Sequence, residues 1–201
     1  MSGTSTRPGP GRPRKFDLDD LVRDAMGVFQ TLGYQGASME QLLRGTGLSR
    51  GSLYKAFPDK RTLFLAALDR YAAENTAALG DRLAIGSPRE AIRSALMMIA
   101  EGSAFARGER GCLVVSSITE MASKDGAVKA HLRRTLDRIQ SLLEAAVRRG
   151  QEAGEIPPAR DPEALARFLL CTIEGLGVLG KTGRTRDEMA SIVDVALAML
   201  G

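Results

Sequence analysis

Three short helices separated by tight turns are predicted at the start of the chain, and this spacing restricts the fold more than any other feature. Apolar residues recur at three- and four-residue intervals after Asp17, which can cap a helix that Gly33 is expected to end. Ser38 and Gln41 have the pattern of a capping box, which predicts a second, short helix.

The third helix of this group has clear boundaries in the sequence. Gly45-Thr46-Gly47 is predicted to break the second helix, and Ser49 can cap the next one. Pro58 must stop that helix, because proline cannot donate the backbone hydrogen bond that a continuing helix needs. The sequence therefore predicts a helix at about residues 50–56, followed by a longer helix capped by Asp59.

The remainder of the chain is also predicted to be helical. Helix starts or apolar helical periodicity are found at Ser87-Pro88, along residues 126–149, at Asp161-Pro162 and at Thr185 with Glu188. Only Leu113-Val114-Val115 has the character of a strand, and no partner strand is visible. We therefore expect an all-α protein of about nine helices, in which an N-terminal helix-turn-helix domain precedes a larger helical domain.

The positive charge is concentrated in the first third of the chain. Residues 1–61 contain ten Lys and Arg against six Asp and Glu, whereas residues 62–201 contain eighteen of each. This asymmetry is expected if the first part binds a polyanion, although a solubilising basic tail would give the same distribution of charge.

Several classes of protein are excluded by the sequence. No apolar run approaches the ~20 residues that cross a bilayer, and the basic N-terminus does not resemble a secretory signal. Two cysteines cannot make a disulfide framework, and a single histidine leaves no ordinary metal site. We expect a cytoplasmic protein with no membrane association, no metal and no cofactor.

The helix at residues 50–56 has the dimensions and residues of a DNA-recognition helix. At ~1.5 Å per residue it measures about 10 Å, so one end can enter a major groove and reach a few base edges. Arg50 offers a fork suited to guanine, and Gly51 and Ser52 keep that end slim. Tyr54 and Lys55 are expected at backbone phosphates, as is Lys60 in the next helix. Core packing is the alternative for Tyr54 and is what we expect for Phe57.

A basic arm precedes the first helix. Residues 1–15 have almost no apolar side chains and are expected to be disordered without DNA. The arm includes Arg12, Arg14 and Lys15 around Pro13, and an extended strand of this kind can enter a narrow A·T-rich minor groove. The alternative is a flexible tail that makes diffuse phosphate contacts.

The run Gly47-Leu48-Ser49-Arg50-Gly51-Ser52-Leu53-Tyr54-Lys55-Ala56-Phe57-Pro58-Asp59-Lys60 resembles the TetR family of bacterial transcriptional regulators, and the match extends over about residues 16–65. The resemblance implies a DNA-binding domain at 16–62 and an effector-binding and dimerisation domain at 63–201. It also implies a repressor that a small molecule or an electrophile releases from a palindromic operator. The DNA contacts it implies are Ser38, Thr46, Ser49, Arg50, Gly51, Ser52, Tyr54, Lys55 and Lys60.

The last two predicted helices, at about 162–180 and 186–200, are the expected surface of a homodimer that binds two DNA half-sites. Their apolar stripes are broad for an exposed position, although some of these residues will belong to the intramolecular core. The stripes comprise Leu165, Phe168, Leu169, Ile173 and Leu176 in the first helix, and Met189, Ile192, Val193, Ala196, Leu197 and Leu200 in the second.

The family resemblance implies an effector pocket between helices of the second domain. The candidate lining residues are Met97, Met98, Phe105, Met121 and Phe168, although methionines in helices are often ordinary core. Gly111-Cys112-Leu113 resembles a subgroup in which some members sense electrophiles or oxidants, and Arg110 can favour the Cys112 thiolate. The alternative for Cys112 is a buried structural cysteine. We expect Cys171 in the core and His131 on a solvated face.

Residues Gly175–Thr182 fit the phosphate-binding loop pattern of nucleotide hydrolases. That loop requires a preceding buried strand and a helix that starts at its Lys-Thr pair, whereas here a helix precedes it and Gly183 follows. A nucleotide hydrolase is therefore disfavoured. A non-specific architectural DNA-binding protein is a further alternative, and it would bind every sequence equally at a fixed salt concentration.

Overall fold

The computed structural model describes residues 17–105 and 111–201, with the side chains at 103–105 excepted. Within this part of the chain there are nine α-helices and no strand, which confirms the predicted all-α class. A short 3₁₀ helix, Gly180–Thr182, follows the eighth. The α-helices are α1 Leu18–Gly36, α2 Met39–Thr46, α3 Arg50–Ala56, α4 Lys60–Leu83, α5 Pro88–Phe105, α6 Leu113–Met121, α7 Gly126–Glu152, α8 Pro162–Leu179 and α9 Arg186–Ala198.

The helix starts predicted from capping residues are confirmed. Asp17 caps α1 through the Asp19 N–H, Asp59 caps α4 through the Thr62 N–H, and Thr185 forms a capping box with Glu188 at α9. A cap needs only neighbouring residues, so it can be read from the sequence directly.

Of two local expectations, one was confirmed and one was wrong. Leu113-Val114-Val115, which has strand character but no partner strand, forms the first turn of α6, in agreement with the expected all-α fold. Gly33 was predicted to end the first helix, but α1 continues to Gly36 beyond a kink. At the kink Gly33 has φ +70° and ψ 178°, a backbone conformation that only glycine adopts readily.

Among the residues that the structure describes, buried side chains form two groups that hold the helices together. The N-terminal core comprises buried residues of α1, α2, α3, the first half of α4, α6 and the start of α7. The C-terminal core comprises buried residues of the second half of α4, α5, α7, α8 and α9. Because α4 and α7 contribute to both cores, the helix-turn-helix unit packs directly on the helices that follow it.

The predicted division at residues 62 and 63 falls inside the continuous helix α4. The helix-turn-helix unit also shares its core with Leu113 and Met121 of α6 and with Val128 of α7. The domain boundaries therefore stay a prediction. None of the described helices has the length and apolar character of a membrane-spanning segment.

Candidate DNA-binding interface

The α2–α3 pair is shaped by caps at both helix starts. The Ser38 hydroxyl accepts the Gln41 N–H at 3.2 Å, and the Gln41 side chain accepts the Ser38 N–H at 2.7 Å. Gly47, in the left-handed conformation with φ 65°, ends α2. Ser49 then accepts the Ser52 N–H at 3.2 Å and starts α3. The predicted break thus lies at Gly47, while Gly45 and Thr46 are still helical.

Helix α3 packs on the core through one face and is solvent-exposed on the other. Leu53 is buried in the N-terminal core, and Phe57 packs half-buried beside it, as predicted for Phe57. On the outer face Arg50, Gly51 and Lys55 are exposed, and Tyr54 is 43% exposed. The alternative of core packing for Tyr54 is therefore wrong.

The positively charged side chains on this face are not engaged in ion pairs with described residues. Neither Arg50 nor Lys55 forms an ion pair with any residue that the structure describes. A guanidinium and an ammonium that are exposed on one short helix attract anions, and the guanidinium also has the fork geometry that recognises guanine.

Gly51 has open space on all sides. A Cβ at this position would meet no other atom within 4 Å, so the packing of the protein does not require glycine here. Glycine in a helix costs roughly 0.5–1 kcal/mol relative to alanine. Gly51 thus lowers the stability of the helix without a packing reason. This is expected where another molecule approaches the helix closely.

The hydroxyl residues predicted as DNA contacts already have partners within the chain. Ser38, Ser49 and Ser52 take part in the two N-caps, and the Thr46 hydroxyl donates to the Leu42 carbonyl at 2.8 Å. They lie at the ends of α2 and α3, next to the exposed face. A hydroxyl can hold more than one hydrogen bond, so their DNA contacts stay a prediction. The predicted contacts Arg12, Arg14 and Lys15 lie outside the described residues.

Lys60 has a structural role that the sequence did not indicate. Its ammonium donates to the Tyr34 carbonyl at 2.9 Å and to the Ala37 carbonyl at 3.0 Å, and it lies 4.4 Å from the centre of the Tyr34 ring. These contacts direct Lys60 toward the end of α1, whereas the prediction directed it only toward a DNA phosphate. The phosphate contact stays a prediction and competes with this arrangement.

An ion pair joins the start of α4 to the start of α7. The Arg61 guanidinium donates to both carboxylate oxygens of Asp125, at 2.5 and 3.0 Å. Asp125 also accepts the N–H groups of Ala127 and Val128, so it is the N-cap of α7. The Arg61 hydrogen bond and these N–H groups lower the pKa of Asp125 to about 2.

The predicted effector residues are not brought together. Met97 packs on the C-terminal core, Met121 is buried in the N-terminal core, and Phe168 is 39% exposed on the outer face of α8. Met98 is half-buried in α5, and the Phe105 side chain lies outside the described residues. Helical spacing alone could not show which core each methionine joins, because that depends on the helices packed against α5 and α6.

The surroundings of Cys112 distinguish the two environments that the sequence left open for it. Cys112 is the N-cap residue of α6, and burial raises the pKa of its thiol although the N–H groups of Val115 and Val114 act in the opposite direction. The described residues thus favour the thiol, which agrees with the alternative of a buried cysteine. Arg110, which was expected to favour the thiolate, lies outside the described residues. Gly177 of α8 packs against Cys112, since a Cβ there would lie 3.4 Å from the Cys112 Cβ.

Two further polar groups lie beside Cys112, and sequence reasoning missed both. The Tyr71 hydroxyl from α4 faces the thiol, and burial raises the pKa of Tyr71. Glu174 of α8 lies one helical turn before Gly177, and burial raises the pKa of its carboxyl. The Glu174 Oε2 atom is buried and has no hydrogen-bond partner among the described residues. Three helices bring these groups together, so no local motif could have indicated them.

Two predicted environments were wrong. Cys171 was expected in the core but is exposed, because the inward face of α8 is formed by Leu169 and Ile173. His131 was expected on a solvated face but is largely buried between α4 and α7. Its Nδ1 lies 3.7 Å from Asp69 Oδ1, and burial lowers the pKa of the imidazole.

The phosphate-loop pattern at Gly175–Thr182 lies in a helical segment. Its first half is the end of α8, and its Lys-Thr pair lies in the 3₁₀ helix that Gly183 ends in the left-handed conformation. No strand precedes it in the described chain and no helix starts at Lys181. The segment therefore lacks the strand–loop–helix geometry that cradles a phosphate.

Most of the apolar residues predicted for the dimer surface belong to the intramolecular core. Buried in this way are Leu165, Leu169, Ile173, Leu176, Met189, Val193, Ala196, Leu197 and Leu200. A second apolar surface, which we call the α8–α9 face, remains exposed: Phe168, Val178, Val195 and Met199 are 39%, 50%, 64% and 46% exposed. Between the two helices lies an open groove of about 370 Å³, lined in part by Phe168, Gly175, Ile192 and Val195.

An exposed, positively charged helix presented by a capped helix-turn-helix pair defines a helix-turn-helix DNA-binding protein. Two family models match the chain: "Bacterial regulatory proteins, tetR family" at residues 21–67 and "Tetracyclin repressor-like, C-terminal domain" at residues 88–195. The chain therefore belongs to the TetR family of bacterial transcriptional regulators.

Individual relatives cover almost the whole chain. The uncharacterized HTH-type transcriptional regulator YezE of Bacillus subtilis is 30% identical over 94% of this chain and 99% of its own length. The HTH-type transcriptional repressor ComR of Escherichia coli is 30% identical over 94% of this chain and 91% of its own. A solved structure of a cysteine mutant of the TetR family regulator CifR, complexed with 26-bp double-strand operator DNA, has a TM-score of 0.84 and 31% identity, and it covers 95% of this chain and 100% of CifR.

Proposed function

We propose that this regulator is a repressor that binds a palindromic operator as a homodimer and leaves it when an effector binds. The observation that carries the proposal is the outer face of α3, where Arg50, Gly51, Tyr54 and Lys55 are exposed. The operator-bound CifR structure supports the same use of the fold. The proposed division of labour is a basic arm at 1–15, a DNA-binding domain at 16–62 and an effector and dimerisation domain at 63–201.

The DNA-binding face has two kinds of contact in this proposal. Arg50 reads a guanine edge in the major groove, whereas Tyr54 and Lys55 bind backbone phosphates. Gly51 allows close approach, and phosphates are also contacted at the helix ends. The residues at those ends are Ser38, Thr46, Ser49, Ser52 and Lys60, and Arg12, Arg14 and Lys15 of the arm extend into a minor groove.

Operator variants test this assignment. We expect Arg50→Ala to relax base preference at one position per half-site, and Lys55→Ala to weaken binding to all sequences about equally. Arg133→Ala is the matched control, because it removes one exposed positive charge from α7. Equal loss from both α3 variants on every sequence would contradict the assignment. If the wild type has no base preference at a fixed salt concentration, the chain is an architectural DNA-binding protein instead.

The proposed dimer forms through the α8–α9 face. Support comes from the groove that the exposed Phe168 and Val195 line together, and from the exposed Val178 of α8 and Met199 at the end of α9. Exposed apolar patches often mark interaction sites. A two-fold dimer also offers two copies of α3 to successive major grooves.

An acidic substitution on this face tests the dimer. We expect Val195→Asp to shift the protein from dimer to monomer in analytical ultracentrifugation and to abolish operator binding. Ile85→Asp is the control, because Ile85 is 70% exposed in the turn between α4 and α5. A dimer that persists in the Val195 variant would contradict this interface.

The effector-responsive region is proposed at Cys112, with Tyr71 and Glu174 beside it. The Gly111-Cys112-Leu113 motif supports membership of the subgroup with that motif. Its raised pKa makes Cys112 a thiol at neutral pH, so its reaction with an electrophile should accelerate as the pH rises.

The sensor proposal is tested with N-ethylmaleimide. We expect the reagent to release operator DNA from the wild type and from Cys171→Ser, but not from Cys112→Ser. The Cys171 variant is necessary because that thiol is exposed and will react as well. Release from Cys112→Ser would end the sensor proposal and leave Cys112 as a structural residue.

A further inference from the structure

The junction between α1 and α2 is interrupted in a specific way. Gly33 breaks the helical backbone at φ +70°, four residues before the extended residue Ala37. The Gln35 N–H beyond the break donates to the carboxylate oxygen Oε2 of Glu120 in α6, at 2.9 Å. Glu120 is separated from Gln35 by 85 residues, so this hydrogen bond links the DNA-binding unit to the larger helical body.

The position of the Glu120 carboxylate depends on the glycine. A Cβ at Gly33 would overlap the second carboxylate oxygen, Oε1, so the carboxylate occupies the space that a side chain at this position would fill. The hydrogen bond is charge-assisted, because the acceptor is an ionised carboxylate, and such bonds are stronger than those between neutral groups.

Lys60 approaches the same junction from α4. Its ammonium donates to the Tyr34 and Ala37 carbonyls, at 2.9 and 3.0 Å, on either side of the Gln35 N–H. An acceptor from α6 and a donor from α4 thus hold the five-residue segment 33–37. At the other end of α6 the Gly111 N–H donates to the Gln30 carbonyl at 3.1 Å, so both ends of this helix are tied to α1.

The segment 33–37 is followed almost directly by α2, which starts at Met39, and α2 and α3 contribute Leu42 and Leu53 to the same N-terminal core. Any change in the angle at the junction therefore displaces α3 relative to α6. In a two-fold dimer, that displacement changes the distance between the two copies of α3.

We propose that Glu120 is a positioning residue that sets the separation between the two recognition helices and thereby the half-site spacing that the dimer accepts. This inference rests on the proposed dimeric, operator-binding function. Glu120 does not contact DNA in this account. It acts through the Gln35 backbone, which it holds against α6.

Operators of altered spacing test the proposal. Inserting or deleting one base pair between half-sites rotates one of them by about 34°, since a turn holds about 10.5 base pairs. We expect the wild-type dimer to bind such operators at least about tenfold more weakly than its selected operator, and Glu120→Ala to reduce that preference to about threefold or less. Glu120→Gln, which retains an oxygen acceptor, should restore most of the preference.

The control is Glu101→Ala, which removes an interhelical carboxylate that pairs with Arg186 at 2.6 Å, away from α1. It should leave the spacing preference unchanged. If circular dichroism shows that Glu120→Ala does not fold, Glu120→Asp is used instead, and its spacing preference should also fall to about threefold or less. This variant keeps the charge but withdraws the carboxylate by one methylene.

The two proposals fail in distinguishable ways. A uniform loss of affinity at every spacing in Glu120→Ala, with the wild-type preference intact, would overturn the positioning role and reduce Glu120 to a stabilising contact. If the wild type itself lacks sequence preference, the proposed function fails. Hydrogen exchange on the free protein still tests the Gln35–Glu120 hydrogen bond in that case. The Gln35 amide should exchange faster in Glu120→Ala than in the wild type, and Glu101→Ala should leave its exchange rate unchanged. Equal exchange rates in the wild type and Glu120→Ala would also overturn the proposal.

Discussion

Replacing Gly51 with alanine should change the stability of the fold and the affinity for DNA in opposite directions. Gly51 lies in α3, is exposed, and has no atom within 4 Å of where a Cβ would be placed. The new methyl group therefore meets no obstacle within the protein. Alanine is better than glycine in a helix by roughly 0.5–1 kcal/mol, so Gly51→Ala should raise the free energy of unfolding by up to about 1 kcal/mol.

The same methyl group should weaken operator binding. If α3 enters the major groove, the methyl occupies space between the helix and the base edges. Disturbing one base-pair contact typically costs about 1–3 kcal/mol, so we expect a loss of this size for each half-site. Urea denaturation measures the first quantity, and fluorescence anisotropy with a labelled operator at a fixed salt concentration measures the second.

Gly126→Ala is the matched control. Gly126 is the first residue of α7, is exposed, and would also place its Cβ in open space. Its substitution should stabilise the fold without an effect on operator affinity. An unchanged operator affinity in Gly51→Ala, together with the expected gain in stability, would refute the inference that DNA approaches α3 at this residue.

Three further outcomes are expected. Gly33→Ala should lower the free energy of unfolding by about 1–3 kcal/mol, because alanine is strained in this backbone conformation and its Cβ displaces the Glu120 carboxylate. Gly36→Ala should have little effect, and equal urea midpoints for the two variants would contradict this. Folding lowers the pKa of Asp125 from its ordinary value of 3.8 to about 2, so its contribution to stability is complete above pH 4 and is lost as the pH falls toward 2. The stability difference between the wild type and Asp125→Asn should therefore shrink below pH 4, and a difference independent of pH would exclude the ion pair with Arg61. Lys60→Met should destabilise the fold and weaken binding to all operators equally, and an unchanged thermal midpoint would show that its contacts with the end of α1 contribute nothing.

Local features of the fold could be predicted from the sequence. The caps at Ser38, Ser49 and Thr185 and the extent of α3 depend on residues within one turn of each other, and all are found in the structure. The kink at Gly33 was missed because a glycine at a helix end and a glycine within a kinked helix have the same local pattern. Beyond the kink the Gln35 N–H donates to Glu120, which lies 85 residues away in the sequence, so no local pattern could show this contact.

The direction of each apolar face could not be predicted. Helix α8 has apolar residues on both its inward and outward faces, so its periodicity cannot show that Leu169 is buried whereas Phe168 and Cys171 are exposed. The proximity of Tyr71, Cys112 and Glu174 could not be predicted from the sequence for a related reason. Each belongs to a different helix, and only tertiary packing brings them together.

The central claim is that two copies of α3 lie in successive major grooves, and guanine methylation interference tests it most directly. Methylation at N7 places a methyl group in the major groove, where the Arg50 fork is expected. We predict interference at two guanine clusters centred about 10–10.5 base pairs or a multiple apart, with one guanine in each half-site losing its effect in Arg50→Ala. Interference that is absent from the major groove, or unaltered in Arg50→Ala, would contradict the account.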